Sequence, residues 1–132
     1  ILAFDETMIG SDGIPLGEKP HPRLWGTFPR VLGHYSRDVG LFPLETAVWK
    51  MTGLTARNFG LVGRGTVAVG QQADLALFDA GTVRDAATYD EPTRQAEGIH
   101  TVIVNGRVAW EGGRSTGELR GRVLKRVASA AH

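Results

Sequence analysis

The sequence predicts an α+β fold in which helices come first and strands follow. Three observations carry this. Up to residue 60 the bulky apolar residues recur at three- and four-residue steps, after Gly65 they alternate, and Asn105-Gly106 stands between two β-rich runs. The length of 132 residues allows one core. It falls far short of the ~250 residues of a closed (β/α)8 barrel. The same order of elements also fits the junction of two domains, each present in part.

From Leu2 to Pro22 the chain is broken by Gly10, Gly13, Pro15, Gly17, Pro20 and Pro22, which predicts a loop. Within it, Thr7-Met8-Ile9-Gly10 reads as a short buried strand that places Asp12 on the loop at its carboxyl end. Trp25, Phe28, Leu32 and Tyr35 then form a helical stripe that Pro29 interrupts, predicting a bent helix or two short ones. A second helix has Pro43 at its first turn, Glu45 at the positive end of its dipole, a stripe of Leu44, Ala47, Val48 and Met51, and Gly53 as its stop. Thr55 reads as the N-cap of one further turn that Gly60 ends.

Beyond Gly65, Thr66–Val69 and Leu75–Phe78 read as strands joined by a tight connection. Thr101–Val104 and Arg107–Trp110 flank Asn105-Gly106, a pair suited to a type I′ turn because both central residues need positive φ. Asp79 to Gly98 is polar and turn-rich, so it is expected on the surface. Leu119, Val123, Leu124 and Val127 share one face of a terminal helix over 118–128.

Lys and Arg number 15 against 14 Asp and Glu, a net charge of +1 that argues against a dedicated nucleic-acid binder. There are no cysteines, hence no disulfide framework and no thiolate metal site. A reducing, cytoplasmic setting is expected. No apolar run reaches the ~20 residues of a membrane span. The start Ile1-Leu2-Ala3-Phe4-Asp5 lacks both Met and a basic signal-peptide region, which predicts a chain entered part-way along a longer sequence.

Asp12 is the leading candidate for chemistry. A carboxylate beside Gly10 and Gly13, at the carboxyl end of a strand, stands where α/β folds assemble their sites and can act as a general base or hold a metal. An Asp there also caps its own turn, and the spacing leaves both readings open. His21 and Arg23 are candidates to line a pocket near Asp12, Arg23 because its guanidinium grips carboxylates bidentately. His21, His34, His100 and His132 show no spacing that puts two imidazoles on one ion, so a complete metal site within the chain is not expected. Gly60–Gly65 lacks the context of a phosphate loop and reads as a linker, and Ser11 and Ser36 have no His and acid at a recognisable spacing. Trp25, Phe28 and Trp49 are expected in the core, and Arg120, Arg122, Lys125 and Arg126 on a solvated helix face.

Taken in order, Gly10-Ser11-Asp12-Gly13, the run His21 to Tyr35 beginning His-Pro-Arg-Leu-Trp-Gly, Lys50-Met51-Thr52-Gly53-Leu54-Thr55-Ala56-Arg57 and Ala73–Asp79 resemble the C-terminal portion of the N-acyl-D-amino-acid deacylases. Those enzymes belong to the amidohydrolase superfamily. The similarity continues through Ala87-Thr88-Tyr89, Glu97-Gly98-Ile99 and Val104-Asn105-Gly106. The resemblance implies that residues 1–60 are the end of a metal-dependent (β/α)8 barrel, 61–115 the C-terminal strands of a small β-sandwich domain, and 116–132 a terminal helix or tail. It implies zinc in the complete enzyme, held mainly by ligands outside this chain, with Asp12 as general base and acid and as the one candidate metal ligand here. It places His21 and Arg23 at the substrate, an N-acyl-D-amino acid. The missing N-terminal part would be the chain's partner, without nucleic acid or membrane, and the isolated chain would be inactive. Two alternatives stand beside this: a fragment of an amidohydrolase that opens cyclic amides, as hydantoinases and dihydroorotases do, and a non-catalytic β-rich interaction module.

Overall fold

The computed structural model describes residues 1–125, and within them the α+β order holds. Helix α1 (Arg23–Arg30) runs without a break into a π-helical segment (Val31–Asp38), followed by α2 (Leu44–Met51) and α3 (Gly53–Phe59). Strands β1 (Leu75–Phe78), β2 (Ile99–Val104), β3 (Arg107–Glu111) and β4 (Arg114–Ser115) make one antiparallel sheet in that order.

The predicted bend at Pro29 takes the form of a change of helix type. Pro29 has no N–H to offer the carbonyl four residues back, and directly after it the helix widens, so that the Val39 N–H bonds to the His34 carbonyl five residues earlier. Of the aromatic residues expected in the core, Trp25, Phe28 and Trp49 are all about two-fifths exposed, at the edge of the described residues rather than inside them. Arg57 stacks its guanidinium over Trp49 instead.

Gly53 does not stop α2. The break falls at Thr52 (φ −128°, ψ −87°), and Gly53 opens α3 because a Cβ there would overlap the Trp49 ring. Thr55 accordingly lies inside α3, with its hydroxyl donating to the Lys50 carbonyl at 3.1 Å. Gly60 ends α3 in the left-handed region as predicted, and the Leu61 and Gly60 N–H groups close back on the carbonyls of Ala56 and Arg57.

Two expected strands are absent. Thr7–Gly10 is irregular, although Ile9 is buried and its N–H bonds to the Lys50 carbonyl at 3.2 Å. Thr66–Val69 pairs with no other described residues and leaves Val67 and Val69 exposed, since alternation without a partner strand makes no ladder. The terminal helix is absent over 118–125, where the apolar stripe has no surface to cover and Leu119 and Val123 face solvent. The rest of that expected helix lies outside the described residues. A second sheet, as in a sandwich, is not formed by the described residues.

The hairpin forms as the sequence requires, with Asn105 at φ 47° and Gly106 at φ 77° between β2 and β3. Its turn is tied down. The Asn105 N–H bonds to Asp74, the Arg64 guanidinium bonds to the Asn105 side chain and pairs with Asp74, and the Gly106 N–H reaches the Ala73 carbonyl. This network roots the 60–65 linker and the start of β1 on the hairpin.

Residues 79–98 run over the surface as expected, and one of them anchors the stretch in the core. Asp79 opens the segment with an Asx turn whose Gly81 N–H holds the carboxyl below the usual carboxylate range. Val83 is then fully buried and joins Ile9, Val31, Leu32, Phe42 and Ala47 in the core. Arg37 donates to the Val83 and Ala80 carbonyls, Arg30 pairs with Asp85, and Arg84 pairs with Glu97 across an isolated bridge. The backbone passes so close to the π-helical segment that a Cβ on Gly33 would overlap the Val83 carbonyl oxygen. Gly33→Ala is therefore expected to destabilise the fold by about 1–3 kcal/mol. A Gly→Ala change in an unobstructed helix would instead stabilise by up to about 1 kcal/mol. A denaturant titration reads the sign directly.

Candidate active site

The loop that carries Asp12 is shaped by its neighbours. The Gly13 N–H bonds to the Ser11 hydroxyl at 3.2 Å, and Asp12 itself sits at φ 47°, a region Asp tolerates better than most residues. Gly13 lies hard against the start of α1, where a Cβ would come within 2.7 Å of Leu24 Cδ1 and 2.9 Å of its Cα. The loop is thereby seated on the helix that supplies Arg23.

Asp12 and Arg23 meet, with Arg23 Nη2 3.0 Å from Asp12 Oδ2. Asp12 is 76% exposed and Arg23 40%, so the pair stands on an open rim where an ion pair contributes at most about 1 kcal/mol. A ligand can compete for either partner at little cost. Arg23 Nε is buried and has no hydrogen-bond partner, so the guanidinium retains a donor not used within the described residues.

His21 completes the group. Its Nδ1 accepts the Arg23 backbone N–H at 3.0 Å, satisfying one of the orphan donors at the start of α1. That acceptor role places the proton of the neutral ring on Nε2, which lies 3.0 Å from the Tyr89 hydroxyl. The Tyr89 ring stands edge-on to the imidazole at 5.2 Å between centroids. The three residues singled out in the sequence thus come together, and Tyr89, brought in across 68 residues, is the member that spacing alone did not single out. Ala87-Thr88-Tyr89 belongs to the family resemblance, but its place beside His21 comes from the course of residues 79–98 over α1.

His34 packs against Tyr35, and His100 is exposed on β2. Among the described residues no three of His, Asp and Glu lie close enough to hold a metal ion. Likewise, among the described residues no helix is long and apolar enough to cross a membrane.

The arrangement offers a solvent-facing carboxylate that can take or give a proton, next to a guanidinium suited to a carboxylate ligand. Comparison with known proteins gives this a context. The chain is 65% identical over 129 residues to a D-aminoacylase of Alcaligenes xylosoxydans xylosoxydans, a match that covers 98% of this chain and 27% of that enzyme. A solved D-aminoacylase described with a binuclear metal center superposes with a TM-score of 0.94 at 67% identity, covering 96% of this chain and 27% of that one. The N-acyl-D-glutamate deacylase of Bordetella bronchiseptica, solved with zinc and a phosphonate mimic of the tetrahedral intermediate, gives 0.83 at 49% identity over 89% of this chain and 25% of its own. The chain therefore spans about a quarter of the length of the relatives it matches. A family model described as the amidohydrolase family matches residues 5–110, most of the sequence, and on that match the chain belongs to the amidohydrolase family.

Proposed function

We propose that this chain is the C-terminal part of a zinc-dependent, cytoplasmic enzyme that hydrolyses N-acyl-D-amino acids to a carboxylate and a free D-amino acid. The observation that carries the reading is the contact of Asp12 with Arg23, in a chain whose path follows a D-aminoacylase at a TM-score of 0.94. Residues 1–60 would close a barrel, residues 61–115 would complete a small β-domain, and 116–132 would form a tail. The outer edge of β1, which pairs with no other described strand, and the exposed Leu77, Val67 and Val69 support a covering partner, the remainder of the enzyme.

In this reading the zinc and most of its ligands lie in that remainder, and this chain supplies the proton carrier and part of the substrate grip. An Asp12 carboxylate oxygen takes a proton from the attacking water as the new C–O bond forms. It returns that proton to the amide nitrogen as the C–N bond breaks, so acid and amine leave balanced. Arg23 binds the α-carboxylate of the amino acid, and His21, braced by Tyr89, fixes the backbone turn from which Arg23 projects.

The test is turnover by the full-length, zinc-loaded enzyme. Release of free D-amino acid from an N-acyl-D-amino acid, with little from the L-isomer, is the expected result. Opening of a cyclic amide without cleavage of the linear substrate would overturn the assignment.

A further inference from the structure

Lys50 lies about one turn after Ala47 on α2, and like Ala47 it is almost wholly buried. A Leu or Met would fill that place without taking a charge out of water. The polar partners of its ammonium among the described residues are all main-chain carbonyl oxygens: Phe4 at 2.5 Å, Asp5 at 3.2 Å and Thr7 at 3.4 Å. Three N–H donors meet three acceptors. The Phe42 ring faces the same ammonium, 5.9 Å from its centroid.

The main chain of Lys50 grips the same segment. Its carbonyl accepts the Ile9 N–H, and the Thr55 hydroxyl steadies that carbonyl from the α3 side. Residues 1–22 contain no helix or strand, so these bonds stand in for a ladder over residues 4–9. Three residues further on is Asp12, within about 10 Å of chain. Beyond it Gly13 is seated on Leu24. Asp12 therefore hangs between two anchors, and Lys50 makes the first of them.

We propose that Lys50 is a positioning residue: by clamping the carbonyls of Phe4, Asp5 and Thr7 it fixes the segment that leads into the Asp12 loop, and so sets where the Asp12 carboxylate stands. The effect on catalysis rests on the role proposed above for Asp12. The clamp itself does not. The close superposition on a full-length D-aminoacylase supports the same chain path in a complete enzyme.

The experiment compares Lys50→Met, Lys50→Gln, Lys50→Arg and Asp12→Asn in the full-length, zinc-loaded enzyme, with hydrogen exchange of the peptide covering residues 4–13 measured beside kcat and KM. Lys50→Met is expected to speed exchange in that peptide while α1 to α3 stay protected. It should lower kcat by about 10- to 100-fold, the scale of a misplacement near 1 Å, with KM little changed. Lys50→Arg, which keeps donors for the carbonyls, should restore most of both, and Lys50→Gln should fall between Arg and Met. Should Lys50→Met fail to fold, the order Lys, Arg, Gln in protection and kcat decides the matter. Exchange in 4–13 unchanged by these substitutions, or raised evenly over the whole molecule, overturns the proposal. Full activity in Asp12→Asn would overturn the role of Asp12 instead, and the exchange data would still decide whether the clamp exists.

Discussion

Replacing Asp12 by Asn in the full-length, zinc-loaded enzyme is expected to lower kcat by about 10²- to 10⁴-fold, the usual contribution of a positioned general acid–base. The substitution keeps the shape of the side chain and its ability to accept a hydrogen bond from Arg23 Nη2, 3.0 Å away in the parent. What it removes is the capacity to carry a proton. The fold should be unaffected, because Asp12 is three-quarters exposed and its ion pair with Arg23 stands on an open rim. Steady-state kinetics with an N-acyl-D-amino acid gives the result, and binding of a non-hydrolysable analogue shows whether the site is otherwise intact. A kcat within a few-fold of the parent would return Asp12 to the role of a turn-capping residue.

The second large effect belongs to Arg23. Arg23→Gln should raise KM for N-acyl-D-amino acids by roughly 10- to 100-fold, the value of hydrogen bonds to a charged group. Because Asp12 loses its nearest cation as well, kcat is expected to fall by a smaller factor. Lys at this position keeps a charge and loses the planar fork, so Arg23→Lys should recover only part of the affinity. The signature that separates binding from chemistry is the α-carboxylate. A substrate in which it is replaced by an amide should bind parent and variant equally, and a variant that still discriminates between the two would remove Arg23 from the substrate grip.

Local signals were legible wherever a single element answers to its own residues. Asn105-Gly106 gives the hairpin because few other pairs accept positive φ twice, and the stripe of Leu44, Ala47, Val48 and Met51 gives α2. Gly60 stops α3 for the reason it was expected to. The site was legible in outline, since Asp12, His21 and Arg23 lie within one loop and the first residue of the next helix. What local pattern does not carry is the presence or absence of a partner. Thr66–Val69 alternates like a strand, yet a strand exists only where another chain segment accepts its hydrogen bonds. The stripe beginning at Leu119 likewise needs a surface to lie on. Trp25 and Trp49 have core chemistry without a core around them.

Val83 and Lys50 failed to stand out for opposite reasons. Val83 is one apolar residue in a polar stretch, and its burial follows from Gly33 and Gly98, two distant glycines that let the backbone approach; a Cβ on Gly98 would come within 2.6 Å of the Val83 nitrogen. Lys50 was detectable. A lysine about one turn after Ala47 on an amphipathic helix falls beside its buried face, and such a conflict between local chemistry and burial is where function is to be sought.

Among the described residues the helices meet the sheet at Phe78 and Ile99, which pack on the helical core, and residues 79–98, running from one of these to the other, carry both Val83 and Tyr89. This stretch is thus a linkage in the mechanical sense. A rotation of the sheet against the helices would strain this stretch together with the 60–74 connection, and its midpoint, Tyr89, rests on His21.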